Sequence, residues 1–182
     1  MLVHQDLLAY QRRWPDEAET VNSFLAMLDD PQNPFVRERL AGHFTGSAWV
    51  VSADDHRALL THHRKLNRWL QPGGHADGDS DLARVALREA EEETGLPDLR
   101  LKDGEIFDLD RHWIPERGEV RGHWHYDVRY VVRAGSNERY VVSEESHNLA
   151  WQQIDGLLHD EGSDASIRRM AGKWLQQRER VR

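Results

Sequence analysis

The sequence predicts an α/β (α+β) fold in which helices cover both faces of a mixed β-sheet, preceded by a helical appendage. Three stretches carry that expectation. Residues 122–132 alternate: Trp124, Tyr126, Val128, Tyr130 and Val132 share one face of a strand, and His123, His125, Asp127 and Arg129 share the other. The stretch from Asp79 or Ser80, either of which can cap, with Asp81 favouring the positive N-terminal end, reads as a helix with a written end, because Gly95 suits a left-handed C′ position, Leu96 the accompanying apolar contact, and Pro97 forbids continuation. Near the C-terminus, Ile167, Met170, Ala171, Trp174 and Leu175 fall on one face of a helix opened by Ser163 or Asp164. Strands, a central helix and a terminal helix in this order suit a sheet covered on both sides.

The chain divides at about residue 40. Residues 1–40 are expected to form the appendage and residues 41–182 the main domain. Leu2, Leu7, Leu8 and Tyr10 suggest a first helix, and Pro15 opens a second, on which Val21, Phe24, Leu25 and Leu28 form an apolar stripe. After the turn cluster at residues 29–34, Asn33 and Pro34 are expected to cap a further short helix through Leu40. The stripe points to packing on the main domain; a cap over a substrate or a homodimer contact is the alternative. Strands are expected over residues 43–52 and 57–63, joined by a hairpin connection at residues 53–56. Residues 68–72 lead into a turn at Gly73-Gly74, where the absence of side chains lets the backbone approach a ligand. Further strands are expected over residues 99–110, 113–114, 141–142 and 147–151, with a helical turn at residues 154–158.

Composition narrows the function. The 182 residues carry a net charge of −8, which argues against binding a nucleic-acid polymer. The same charge disfavours a polyanionic substrate unless metal ions or local arginines offset it. There is no cysteine, hence no disulfide framework, zinc–thiolate site or cysteine nucleophile. No apolar run approaches a membrane span, and the N-terminus lacks a basic signal region, so a cytoplasmic protein with no membrane partner is expected. Hydrophobic content of 38% and seven tryptophans suffice for a core.

The central helix places carboxylates where an amphipathic helix would place apolar groups. Glu89, Glu92 and Glu93 are spaced i, i+3, i+4 and share a face with or beside Leu82, Val85 and Ala86, while Arg84, Arg88 and Glu91 point away. A solvated acidic face should lie opposite the apolar residues. Clustered carboxylates against a partly buried face repel unless a cation joins them, and oxygen ligands at close quarters suit magnesium or manganese. Asp77-x-Asp79-x-Asp81 imitates a calcium loop, but the glycine and glutamate such a loop needs are replaced by Leu82 and Arg88.

At these residues the chain resembles the Nudix hydrolase superfamily, whose box is G-x5-E-x7-R-E-U-x-E-E-x-G-U with U aliphatic. Gly74, Arg88, Glu89, Glu92, Glu93, Gly95 and Leu96 match, and Ala90 is a small version of the first aliphatic position. Ser80 stands where the family has its first glutamate, with Asp79 and Asp81 flanking it. The resemblance covers roughly residues 43–175. It implies an α/β/α sandwich with a mixed sheet and metal-dependent hydrolysis of a diphosphate linkage in a nucleoside-diphosphate-linked or related small molecule. It implies that Glu89, Glu92 and Glu93 coordinate Mg2+ or Mn2+, that a carbonyl at Gly73 or Gly74 lies near the ion, and that Arg88 orients a box glutamate, Glu92 being its i+4 neighbour. The general base is a box glutamate or an acid before the last strand, a region that holds Glu144 and Glu145; a solvated loop is the plainer account of that pair.

Outside the box, the His123, His125 and Asp127 face is the candidate substrate contact, with a second metal site or local hydrogen bonding as alternatives; His62, His63 and His75 could join it in space. Arg64, Lys65 and Arg68 are candidate phosphate contacts, surface ion pairs being the other account. Trp69, Trp113 and Trp124 are either core or stacking surfaces for a base. Two rivals remain. Isopentenyl-diphosphate isomerases share the fold but bring a catalytic cysteine that this chain lacks. A non-catalytic nucleotide or ADP-ribose sensor would be favoured by Ser80 and disfavoured by the intact Glu89, Glu92 and Glu93.

Overall fold

The computed structural model describes residues 2–64, 67–143 and 146–181. Two helices, α1 (Leu2–Arg13) and α2 (Ala18–Asp29), come first, linked by a short 3-10 turn that Pro15 opens. Strands β1 (Gly42–Val51), β2 (Arg57–His63), β3 (Arg68–Leu70) and β4 (Gly73–His75) follow, then α3 (Leu82–Thr94). The chain ends with β5 (Arg100–Ile114), β6 (His123–Arg133), β7 (Ser146–Gln153), α4 (Ile154–His159) and α5 (Ala165–Val181).

The strands make one seven-stranded mixed sheet of order β3-β2-β1-β6-β5, with β4 also on β1 and β7 also on β2. β1 and β6 run parallel, and the other pairs are antiparallel. The sheet forks at β1. Its first half pairs with β4 (Thr45 opposite His75, Ser47 opposite Gly73), and its last residues, Val50 and Val51, pair with β2.

Alternation along β1 and β6 sorts the core into two layers. Phe44, Ala48, Val50, Val128, Tyr130 and Val132 face α1, α2 and α3. Trp49, Val51 and Val131 face α4 and α5, where they meet Ile154, Ile167, Met170 and Trp174. The appendage belongs to the first layer. Leu7, Tyr10, Val21 and Phe24 are fully buried. At about 1.5–3 kcal/mol for each large side chain removed from water, those four stabilise by an amount comparable with a domain's whole net stability.

A buried charge network joins the appendage to the far face. Asp108 on β5 is 0% exposed and accepts hydrogen bonds from Arg129, Arg169 and Lys173. Lys173 on α5 reaches back to Tyr10 and Glu17. Burial alone would raise the Asp108 carboxyl, but the bond to Arg169 and the charges of Arg129, Arg169 and Lys173 hold it below its ordinary value.

Three local expectations differ from what is observed. Residues 33–40 form turns instead of a short helix: the Asn33 side chain accepts from the Phe35 amide, and Phe35 stacks on Phe44. An Asx turn thereby competes with the helix start that Asn-Pro suggests. Val141 and Val142 are exposed and outside any strand, the Val141 amide being used by the Thr94 carbonyl at the end of α3. Residues 100–114 are one long strand, with register irregularities on either side of Ile106. Among the described residues no helix is long and apolar enough to cross a membrane.

Candidate active site

Helix α3 is placed by its two ends. Asp81 is the N-cap, its carboxylate accepting from the Arg84 amide at 3.1 Å. Of the candidate start residues, Asp79 instead holds the preceding turn, bonding the Asp81 amide and the Arg84 guanidinium. Both acids beside Ser80 therefore serve the helix start. At the other end Gly95 takes the left-handed conformation with φ 60°, and its amide closes on the Glu91 carbonyl at 2.9 Å. Leu82, Val85, Ala86 and Ala90 bury one side of the helix against the sheet. The glutamates follow from that orientation: Glu93 is buried, Glu89 half-buried and Glu92 exposed.

Gly73 and Gly74 form strand β4 rather than a turn, and neither needs a positive φ. What they need is space. A Cβ on Gly73 would lie 2.7 Å from the Ser47 Cβ and 2.8 Å from its Cα; one on Gly74 would lie 2.5 Å from the Glu89 carboxyl carbon. The two faces of this short strand thus meet two different sets of groups. The Gly73 amide donates to the Glu93 carboxylate at 2.8 Å. Arg88 donates to Glu89 at 2.9 Å and to the His75 carbonyl at 3.2 Å, so its partner is its sequence neighbour and not the i+4 residue Glu92. The hydrogen bond to Glu89 is the largest influence raising the Arg88 pKa.

On the opposite face of β4 lies a polar floor built by β1, β5 and β6. Asp127 is 2% exposed and fully engaged: it accepts from Thr45 at 2.9 Å, Ser47 at 2.7 Å, Arg129 at 2.7 Å and Gln71 at 3.3 Å. Arg129 is buried between Asp127, Asp108 and Asp110. Beyond this network five imidazoles gather. His43, His75, His123 and His125 touch ring to ring, and His112, bonded to Asp110, touches His125.

The structure brings Glu89, Glu93, Arg88, Gly73 and Gly74 together, with Glu92 on the exposed side of the same helix. It brings His75 to His125, while His62 instead stacks on Trp69 and also lies against His147. Arg64 is exposed with a 3.4 Å contact to the Ser146 carbonyl, and Arg68 is 3.8 Å from Asp164 at the start of α5. Lys65, Glu144 and Glu145 lie outside the described residues. His43, Thr45, Ser47 and Asp108 were not legible as site residues. The His43 and Asp127 neighbourhoods depend on the parallel β1–β6 register, and no local pattern states it.

The NUDIX domain pattern matches residues 43–171. No curated protein matches the chain. Among solved structures, a C. elegans Ap4A hydrolase in a binary complex superposes with a TM-score of 0.59 at 15% identity, over 75% of this chain and 97% of that one. A MutT protein from Methanosarcina mazei gives 0.58 at 19% identity, over 78% and 98%. A Nudix-family hydrolase from Clostridium perfringens gives 0.56 at 21% identity, over 74% and 97%. At those identities the three structures establish a shared fold. The match over residues 43–171, with the box residues assembled as described, places the chain in the Nudix family of hydrolases acting on phosphoric anhydride bonds.

Proposed function

We propose that the chain is a divalent-metal-dependent pyrophosphohydrolase that cleaves the diphosphate linkage of a nucleoside-diphosphate-linked or related small molecule by attack of water on phosphorus. The observation that carries this reading is the meeting of box glutamates with bare backbone. Glu93 is fixed by the Gly73 amide, and Glu89 occupies the space that a side chain at position 74 would fill. An all-oxygen donor set of Glu89, Glu92 and Glu93 beside the Gly73-Gly74 backbone fits a hard ion such as Mg2+ or Mn2+. Bound there, such an ion supplies neutralisation of the phosphate oxygens and a more acidic water.

The chain's own residues set up the rest. Arg88 orients Glu89 and balances part of the carboxylate charge. Exposed Glu92 offers its carboxylate to the solvent side. Asp127, held by Thr45, Ser47, Gln71 and Arg129, braces β1 against β6 beneath β4 and acts as a positioning residue. Arg64, Lys65 and Arg68 are the proposed phosphate contacts. Glu144 or Glu145 is the proposed base where a box glutamate does not serve.

Turnover of a panel of nucleoside diphosphate sugars, dinucleoside polyphosphates and nucleoside triphosphates with Mg2+ or Mn2+ tests this reading. Hydrolysis of at least one compound that chelator abolishes is expected. Binding of these compounds without hydrolysis would overturn it in favour of a sensor.

A further inference from the structure

We propose that His43, His123 and His125, with His75 packed against them, form a second metal site, for a divalent transition ion of the zinc class, on the face of β4 opposite the glutamate helix. The site is assembled by register. Parallel pairing sets His43 opposite His125, and antiparallel pairing of β1 with β4 brings His75 beside them. Ring centres are 5.0 Å apart for His43–His75, His43–His125, His75–His125 and His123–His125, and 4.9 Å for His43–His123. A tetrahedral ion with metal–nitrogen bonds of about 2.0–2.1 Å sets the centres of its imidazoles about 5 Å apart. One nitrogen each from His43, His123 and His125 already lie within 4.8 Å of one another.

His43 supplies the independent observation. It is 2% exposed, and among the described residues neither ring nitrogen finds a hydrogen-bond partner. Buried polar atoms are rarely left so, because an unmatched one is costly. Hydrogen bonding within the cluster accounts for His123 and His125 but, among the described residues, gives neither His43 nitrogen a hydrogen bond. An ion at the centre of the rings takes one of its two nitrogens as a ligand.

The remaining details suit ligation. His123 Nδ1 stands 2.8 Å from the Arg121 carbonyl, which fixes the proton on Nδ1 and leaves Nε2 free to donate its lone pair. That Nε2 is 3.1 Å from the His125 Nε2, so the two lone pairs converge on one point unless a proton or an ion lies between them.

Donor chemistry separates the two sites. Imidazole donors select zinc, cobalt or nickel, whereas the carboxylates of α3 select magnesium or manganese. An ion on the histidines ties β1 to β6, and His75, which follows Gly74 directly and packs on His43 and His125, extends that brace to β4 and the glycine backbone that receives Glu93. His123 and His125 then serve the substrate indirectly, by fixing β4.

The test is titration of the chelator-treated full-length protein with Co2+ alone, followed by visible absorption, with Zn2+ as competitor. One equivalent of Co2+ with the intense visible bands of a tetrahedral ion, displaced by Zn2+, is expected. His43→Asn and His125→Gln should each remove that equivalent, with circular dichroism confirming that the variants are folded. Glu92→Gln should retain it although its turnover fails, which separates this site from the glutamate site. Absence of the tetrahedral bands in the wild type, their persistence in both histidine variants, or their loss in Glu92→Gln would each overturn the proposal.

Discussion

Adding a single methyl group at Gly73 and at Gly74 should break two different things. At Gly73 the new Cβ meets the Ser47 Cβ at 2.7 Å and its Cα at 2.8 Å. Ser47 lies in the central strand β1, is 4% exposed and is bonded to Asp127, so it has nowhere to retreat. The β1–β4 pairing must open, at a cost at or above the upper end of the about 1–3 kcal/mol typical of overpacking. With about 2–4 °C in Tm for each kcal/mol in a chain of this size, Gly73→Ala should melt at least about 6 °C lower. At Gly74 the new Cβ meets the Glu89 carboxyl carbon at 2.5 Å, the far end of a flexible side chain. The carboxylate must withdraw by about 1 Å, and a misplacement of that size costs about 100-fold in rate. Gly74→Ala should therefore lose about two orders of magnitude in kcat/KM and shift Tm by no more than about 2–4 °C. Scanning calorimetry and turnover of the best diphosphate substrate read both effects. Gly74→Ala with near-normal kcat/KM, or Gly73→Ala melting like the wild type, would refute the reasoning.

Two further outcomes follow from the packing. Asp81→Ala removes the N-cap of α3 and should cost about 1 kcal/mol, read as a fall of about 2–4 °C in Tm. Asp108 and Asp110 both titrate below their ordinary 3.8 in the folded chain: burial opposes the shift, and it is overcome chiefly by Arg169 for Asp108 and by His112 and Arg129 for Asp110. The unfolded chain therefore takes up their protons first, so their contribution is complete well above pH 3.8 and declines as pH falls through 3.8 towards their folded values. Asp108→Asn should strand the Arg129, Arg169 and Lys173 charges and cost about 3–5 kcal/mol at neutral pH. It should also flatten the fall of Tm below pH 4 relative to the wild type; a variant with the wild-type Tm and acid slope would contradict the network's role.

What the sequence states is local, and the fold agrees where local rules decide. Gly95 and Pro97 end α3 as their backbone preferences require, and the strict alternation of residues 124–132 predicts the two faces of β6. The match to the box names Glu89, Glu92 and Glu93 from residue types and spacing alone. Local rules fail where a distant partner decides. Gly73-Gly74 reads as a turn because glycine frees the backbone, yet β1 captures it as a strand. Arg88 has an i+4 partner in Glu92 but turns to Glu89, because the His75 carbonyl draws its guanidinium towards β4. Val141-Val142 has strand composition but pairs with no strand among the described residues, the Val141 amide being used by the end of α3. His43 is silent in the sequence: its meaning depends on lying opposite His125, eighty-two residues away, in a parallel register set by the whole sheet.

The central claim is that the glutamates of α3 hold the divalent ion that makes the chain a hydrolase. Comparing kcat/KM of Glu92→Gln and wild type with saturating Mg2+ tests it most directly, because Glu92 is exposed and its loss should not disturb the core. A fall of at least about 100-fold, or about 2.7 kcal/mol of transition-state stabilisation, with an unchanged melting temperature is the predicted result. A variant that turns over within twofold of the wild type would contradict the account.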